Sequence, residues 1–231
     1  MALTGAGIST DSGIPDFRSP DGIWSKYPQQ FGEYQYFEQH PEHLLRLGQE
    51  LLPLLLNAQP NKGHRALKEL EDMGKLEAVI TQNIDGLHQM AGSKKVIEVH
   101  GTYKTATCTK CNKKFTLDQM LQLTNDIPSC PDCLGLVKPD VVMFGEKLPY
   151  EAFLEAKQLS EKADLMLAAG SSLEVYPASH LVLVTKGSGG HIIIMNDTKT
   201  ALDKVADIII QENLSVCLPL LVEKLKEEMI P

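Results

Sequence analysis

The sequence predicts an α/β fold, a doubly wound parallel sheet broken by two insertions. Three observations carry this. Short runs rich in Val, Ile, Leu, Met and Ala recur along the 231 residues, nearly continuous as in strands covered on both faces. Amphipathic helical patterns lie between several of them. Most of the runs also end in polar or glycine residues, at the sheet edge where open α/β folds bind ligands.

Residues 1–4 form the first strand, and Gly5 and Gly7 follow at once. Residues 19–60 interrupt the alternation and carry a leucine-rich helix near 43–56. Ala66, Leu67, Leu70 and Met73 space as one helical stripe before the second strand, 77–81. The third strand is 95–100. Residues 102–138 are poor in strand signal and hold four of the five cysteines, so they read as a small module inserted between 1–101 and 139–231. A strand at 140–144, a helix striped by Phe153, Ala156 and Leu159, and strands at 164–170, 191–196 and 206–211 complete the alternation. Val216, Leu220 and Leu221 mark a last helix. Repeats and low-complexity tracts are absent.

Composition narrows the function. Net charge is −8 with pI about 5.4 and interspersed signs, which excludes the concentrated basic face of a nucleic-acid binder. No stretch approaches the ~18 apolar residues of a membrane span, and the first ten residues lack a secretory signal. A cytoplasmic protein with reduced or metal-bound cysteines is expected. The oligomeric state is not legible.

Cys108-x-x-Cys111, eighteen residues, then Cys130-x-x-Cys133 matches a four-cysteine zinc site in pair spacing and separation. Four thiolates at ~2.3 Å complete a tetrahedron and leave no open position, so one structural Zn2+ is expected. A redox dithiol, or unrelated reduced cysteines, are the alternatives. Cys217 sits in an apolar helical pattern and reads as core.

The stretch "VITQNIDGLHQ" (79–89) poses the central question. A buried strand ends in Gln82, Asn83 and Asp85, and polar side chains there are costly unless something hydrogen-bonds them. Other strand ends repeat the pattern with His100-Gly101, Gly170-Ser171-Ser172 and Asn196. "LTGAGIST" (3–10) adds a two-glycine turn, where helix-start amides would face a pyrophosphate. The third glycine of the usual fingerprint is replaced by Thr10, and an ordinary turn is the competing reading. The clusters together point to a cofactor crevice. His100, on that edge, suits a general base because imidazole titrates near physiological pH; His88 reads as structural.

Taken together, "GAGIS" (5–9), "GIPDFR" (13–18), "TQNIDGLH" (81–88), "HG" (100–101), the Cys-x-x-Cys pairs, "FGE" (144–146) and "GSSLEVYP" (170–177) closely resemble the sirtuins, in the family's order and over nearly the whole chain. The resemblance, to the bacterial type, implies a Rossmann-like NAD-binding domain, a zinc module, and NAD between them. Gly5, Ala6, Gly7 and Thr10 would border the cofactor, and Asp16, Phe17 and Arg18 would belong to a loop closing over it. Gln82, Asn83, Ile84 and Asp85 would form the nicotinamide and ribose region. Gly170, Ser171 and Ser172 would meet phosphate or ribose, and Asn196 the adenosine ribose. His100, Asn83 and Asp85 would be catalytic. Peptide would add as a strand between the loop of Val142, Phe144, Gly145 and Glu146 and the loop at 173–176 that holds Val175.

The implied activity is NAD-dependent deacetylation of protein lysines, with the acetyl group passing to ADP-ribose and nicotinamide released. His100 would activate a ribose hydroxyl, and zinc would be a spectator. The partners are acetylated lysine side chains of proteins, with neither nucleic acid nor membrane. A nicotinamide dehydrogenase, a mono-ADP-ribosyltransferase and a non-catalytic acetyl-lysine or NAD binding module are the rivals. One departure stands out. The family normally has a helix and a longer strand lead before the glycine turn, so an N-terminally shortened form is expected, with an α-amino charge at the head of a central strand. Finally, "GEYQYFEQHPEHLLRLGQE" (32–50) lacks the Tyr-x-x-Arg pair of succinyl- and malonyl-preferring sirtuins, which predicts an apolar acyl pocket.

Overall fold

A computed structural model describes residues 1–123 and 127–229; positions 124–126 of the expected cysteine module lie outside the described residues. Among the described residues nine strands form two sheets. In the larger, β1 (Ala2–Thr4), β2 (Val79–Thr81), β3 (Val96–Glu98), β7 (Leu165–Ala169), β8 (His191–Met195) and β9 (Ile208–Ile210) pair only in parallel, in the order β3-β2-β1-β7-β8-β9. Counted within this sheet the order is the doubly wound one, reversing direction between β1 and β7. The smaller sheet is antiparallel, with β4 (Gly101–Cys108) between β5 (Lys114–Thr116) and β6 (Val137–Val141).

Strand periodicity divides the core. Ala2, Val79, Leu167 and Ala169 face α4 (Lys62–Asp72) and α9 (Leu214–Met229). Leu3, Ile80, Met166, Ala168, Ile192 and Ile194 face α7 (Tyr150–Lys162) and α8 (His180–Gly187). Successive side chains of a strand point to opposite faces, so each three-residue strand serves both layers. The first insertion folds as short helices α1 (Ile23–Lys26) and α2 (Tyr34–Gln39) and the long α3 (Pro41–Asn57). Two further short helices, α5 (Leu87–Met90) and α6 (Leu117–Leu121), follow β2 and β5.

Three expectations need correction. The strand expected at 140–144 is β6, three residues earlier, and it joins the small sheet. Pro139 lies within it, which is tolerated because β6 is an edge strand and needs no ladder donor there; Val142, Met143 and Phe144 form a loop instead. Val216 and Leu220 are half exposed; the buried face of α9 is Leu214, Cys217, Leu218 and Val222, at the i, i+3, i+4, i+8 spacing of one helical stripe. Cys217 is core, as read. Third, the glycine turn leads into two 3-10 turns, Ala6–Ile8 and Thr10–Ser12, not an α-helix.

The α-amino group of Met1 donates to the Leu165 carbonyl at 2.9 Å. Burial lowers its pKa against the opposing pull of Asp164 and Glu77. No described helix is long and apolar enough to cross a membrane.

Candidate functional site

The carboxyl ends of β1, β2 and β7 meet at the switch in strand order. Gly5 N donates to Ala169 O at 3.2 Å and Gly7 N to Gly170 O at 2.8 Å, so the glycine turn lies directly on the end of β7. Gly170 has φ +66°, and an added Cβ would stand 2.4 Å from Ile8 N. Only glycine fits that approach. Gln82 N donates to Thr4 O at 2.9 Å, and its side chain reaches across to Ser171 Oγ at 2.9 Å.

Beneath this edge the polar residues of "TQNID" find partners in Thr4, Ser9 and the Leu87 amide. Ser9 Oγ donates to Asp85 Oδ2 at 2.7 Å and accepts from Asn83 Nδ2 at 3.0 Å. Asp85 Oδ1 accepts from the Leu87 amide at 2.9 Å. Thr4 Oγ1 bonds Thr81 Oγ1 at 2.9 Å and meets His88 Nε2 at 3.0 Å. His64, from α4, stands 3.5 Å from Ser9 Oγ with its ring 4.9 Å from that of His88. Nδ1 of each ring finds no partner among the described residues. Burial pushes His64 down to about 4, against the pull of Asp85, and burial with His64 nearby pushes His88 down to about 3. Both rings are therefore neutral at pH 7.

Sequence reasoning placed Asn83 and Asp85 here but missed Ser9 and His64. Asn61 was also missed. Its side chain caps α4 through Gly63 N and His64 N and ties it to the glycine turn through Ile8 O at 2.7 Å. An asparagine before an amphipathic stripe is a legible cap signal; nothing in the sequence marks His64.

His100 lies in the turn between β3 and β4. Its Nδ1 meets the Gln82 carbonyl oxygen at 3.0 Å, and its own carbonyl accepts from Val142 N at 2.9 Å. Since a carbonyl only accepts, Nδ1 carries the proton and Nε2 holds the free lone pair. Burial lowers the pKa of His100, and the bond to Gln82 opposes that only in part. Gly101 makes the turn possible: φ is +75°, and a Cβ there would sit 1.9 Å from Asp140 O.

Two loops flank this edge, and the segment 16–24 touches both. Asp16 Oδ1 accepts from the amides of Arg18 and Ser19, shaping a tight turn. Arg18 pairs with Glu174 at 3.0 Å on one side. On the other, Phe17 packs on Trp24 and Trp24 on Phe144, with ring centroids 5.4 and 6.4 Å apart. Phe144 is further held by Gly32 O and Tyr34 N. Glu146 braces its loop, accepting from Met143 N at 2.8 Å and pairing with Lys138 at 3.0 Å, while Gly145 turns at φ +89°.

The remaining expected residues are more peripheral. Ala6 and Ile84 are half-buried beside the turn and the polar network, and Thr10 is exposed with its hydroxyl on Gly7 O. Ser172 lends its carbonyl to Ala201 N, Val175 its carbonyl to Ser179 N, and Asn196 its amide group to Thr198 O.

In the small sheet, one Sγ from each of Cys108, Cys111, Cys130 and Cys133 lies within 4.8 Å of the others, with Cys108–Cys133 at 3.5 Å and Cys111–Cys130 at 3.7 Å. Four sulfurs about 2.3 Å from one tetrahedral ion stand about 3.8 Å apart, so the quartet fits. Burial pushes the Cys108 thiol up, but amide hydrogen bonds from Cys111 and Lys110 and the Cys133 thiol outweigh it and bring it to about 6. The Lys113 amide draws Cys111 down, yet Cys133 and Cys108 push it up to about 12. Neighbouring thiolates repel one another, and a cation bound among them would relieve that repulsion.

The fold and site thus define a Rossmann-like protein with a glycine turn and polar strand ends gathered at its switch point and an inserted four-thiol module. The model of the Sir2 family matches residues 5–177. The chain belongs to the Sir2 family. It is 49% identical over 210 residues to an NAD-dependent protein deacetylase of Thermotoga maritima, covering 90% of this chain and 85% of that one. NAD-dependent protein deacetylase 1 of Pyrobaculum aerophilum is 47% identical, over 98% and 89% of the two chains. Among solved structures, Sir2 with a deacetylated p53 peptide and 3'-O-acetyl ADP ribose superposes with TM-score 0.92 at 46% identity, over 96% of this chain and 92% of that one. Sir2 with p53 peptide and NAD+ gives 0.91 at 44%, over 98% and 92%.

Proposed function

We propose that the protein is an NAD-dependent protein lysine deacetylase, passing the acetyl group of acetyl-lysine to ADP-ribose with release of nicotinamide. When bound, NAD supplies the electrophilic ribose carbon, the leaving group and the acetyl acceptor. The chain supplies a base. His100 presents an unprotonated Nε2 because Nδ1–H is committed to the Gln82 carbonyl, and it takes a proton from a hydroxyl brought to that nitrogen. The contact of His100 Nδ1 with the Gln82 carbonyl, from which this tautomer follows, is the observation that carries the reading.

The other residues position. Gln82, held by Ser171, and Asn83 and Asp85, held through Ser9, keep the polar edge rigid. Phe17 and Arg18 cover it, and the backbones around Val142–Phe144 and Leu173–Val175 receive an extended acyl-lysine peptide. The deacetylase activity for which the relatives are named, and the peptide and NAD+ bound in the solved Sir2 structure, support this assignment.

The cysteine quartet holds one structural zinc, supported by its sulfur spacing. A cytosolic location is part of the same proposal, since thiols available to bind zinc persist where the compartment keeps them reduced.

The test is incubation with NAD and an acetyl-lysine peptide, with mass spectrometry of both products. The deacetylated peptide, O-acetyl-ADP-ribose and nicotinamide are expected. ADP-ribose on the peptide would move the assignment to ADP-ribosyl transfer, and no nicotinamide release would move it to a binding module.

A further inference from the structure

We propose that His40, Glu42 and His43 form a second metal site, taking Zn2+ at the corner between α2 and α3. One donor atom from each residue lies within 4.8 Å of the other two. His40 Nδ1 and Glu42 Oε1 stand 3.3 Å apart, which is about the separation of two ligands held 2.0–2.1 Å from one tetrahedral ion. Two imidazoles and one carboxylate are a zinc donor set that leaves the fourth position to water. The site is remote in sequence from the cysteine quartet and independent of the deacetylase reading.

The corner is already organised for this. His40 is the N-cap of α3, and Glu42 and His43 lie in its first turn, so the three backbones are fixed by the helix. Phe31 stacks on His43 with centroids 4.5 Å apart and planes at 6°, and Tyr36 covers His40 at 4.8 Å. The Tyr36 hydroxyl meets His43 Nδ1 at 2.8 Å and pins the ring. Such outer partners orient metal-binding imidazoles. Glu42 offsets the positive start of α3, which would otherwise repel a cation.

The alternative is a stabilising ion pair. The His40 and Glu42 side chains are 46% and 51% exposed, and a pair so open contributes little. The aromatic stack holds the corner without it. The same segment is tied to the loop at Phe144 by Tyr34 N donating to Phe144 O and Phe144 N to Gly32 O. Zinc at this corner therefore stiffens a segment that borders the crevice.

Zinc titration of the full chain, read by native mass spectrometry and calorimetry, tests this. His40→Ala and His43→Phe should each carry one zinc fewer than the parent, whatever the cysteines hold, with affinity for that ion at least about 100-fold weaker. His43→Phe keeps an aromatic ring on Phe31, and an unchanged melting temperature would exclude a folding defect. Tyr36→Phe, which frees the His43 ring, should weaken the same ion about 10-fold. Equal zinc content and affinity in the parent and both histidine variants would overturn the site.

Discussion

His100 and Gln82 are joined through the ring of one and the backbone of the other: Nδ1 lies 3.0 Å from the Gln82 carbonyl oxygen. The bond fixes the tautomer, and it makes a strand end (Gln82) the orienting group for a base on a different turn. Replacing His100 by Ala should leave NAD affinity near normal and reduce turnover by on the order of 10²-fold or more, the scale of general-base catalysis. NAD titration alongside steady-state deacetylation checks both halves, and near-normal turnover would remove His100 from the role.

The pH dependence follows from the same environment. Burial lowers the His100 pKa below its ordinary 6.5, and the base acts only when unprotonated. The acid limb of kcat/KM should therefore lie below pH 6.5, with activity falling as pH drops through it. An acid limb above 6.5 would mean that another group limits the rate.

Stability should have its own acid limb. Folded His64 and His88 take protons only near pH 4 and 3, whereas in the unfolded chain they do so near 6.5. Below 6.5 the unfolded state binds more protons, so stability falls with pH until the folded rings also protonate. The slope is on the order of 1 kcal/mol per pH unit for each ring. Urea unfolding from pH 7 to 4.5 should show it, and His88→Gln should flatten it.

If the cysteine quartet holds zinc as proposed, removing it should unfold at least the small sheet, because the ion's binding energy is folding energy for such a module. Chelation followed by circular dichroism and thermal melting measures this. Unchanged melting after verified metal removal would leave the thiols without that role.

Gly101 and Gly170 are the backbone positions least able to change. Each has positive φ and lies against another backbone segment. Gly170→Ala should cost about 2–4 kcal/mol in denaturant unfolding, and a loss under about 0.5 kcal/mol would show that the turn has room to relax.

Acyl preference is the last expectation. A buried acyl carboxylate needs charge-assisted partners. Arg46 is exposed on α3, Phe37 is buried where the Tyr-x-x-Arg arginine would follow Tyr34, and Arg18 is paired with Glu174. Acetyl-lysine should exceed succinyl-lysine in kcat/KM on one peptide. Equal or faster desuccinylation would mean that some other cation serves the pocket.

The sequence by itself determined the parallel sheet, the two insertions and the thiol quartet. Each is written in local spacing: continuous apolar runs, helical stripes, paired Cys-x-x-Cys turns. It also marked the glycine turn after β1 and the polar residues following β2, β3, β7 and β8, and singled out His100. Tertiary structure alone decided how those ends are used. Asp85 is held by Ser9 and Asn83 by the same hydroxyl, 76 and 74 residues away, and His64 arrives from α4 beside them. The path of 140–144 and the face of α9 were likewise settled by partners, β4 for one and α4 for the other. Periodicity reports which residues avoid water. A hydrogen bond also needs a partner at about 3 Å, and only the folded chain brings it there.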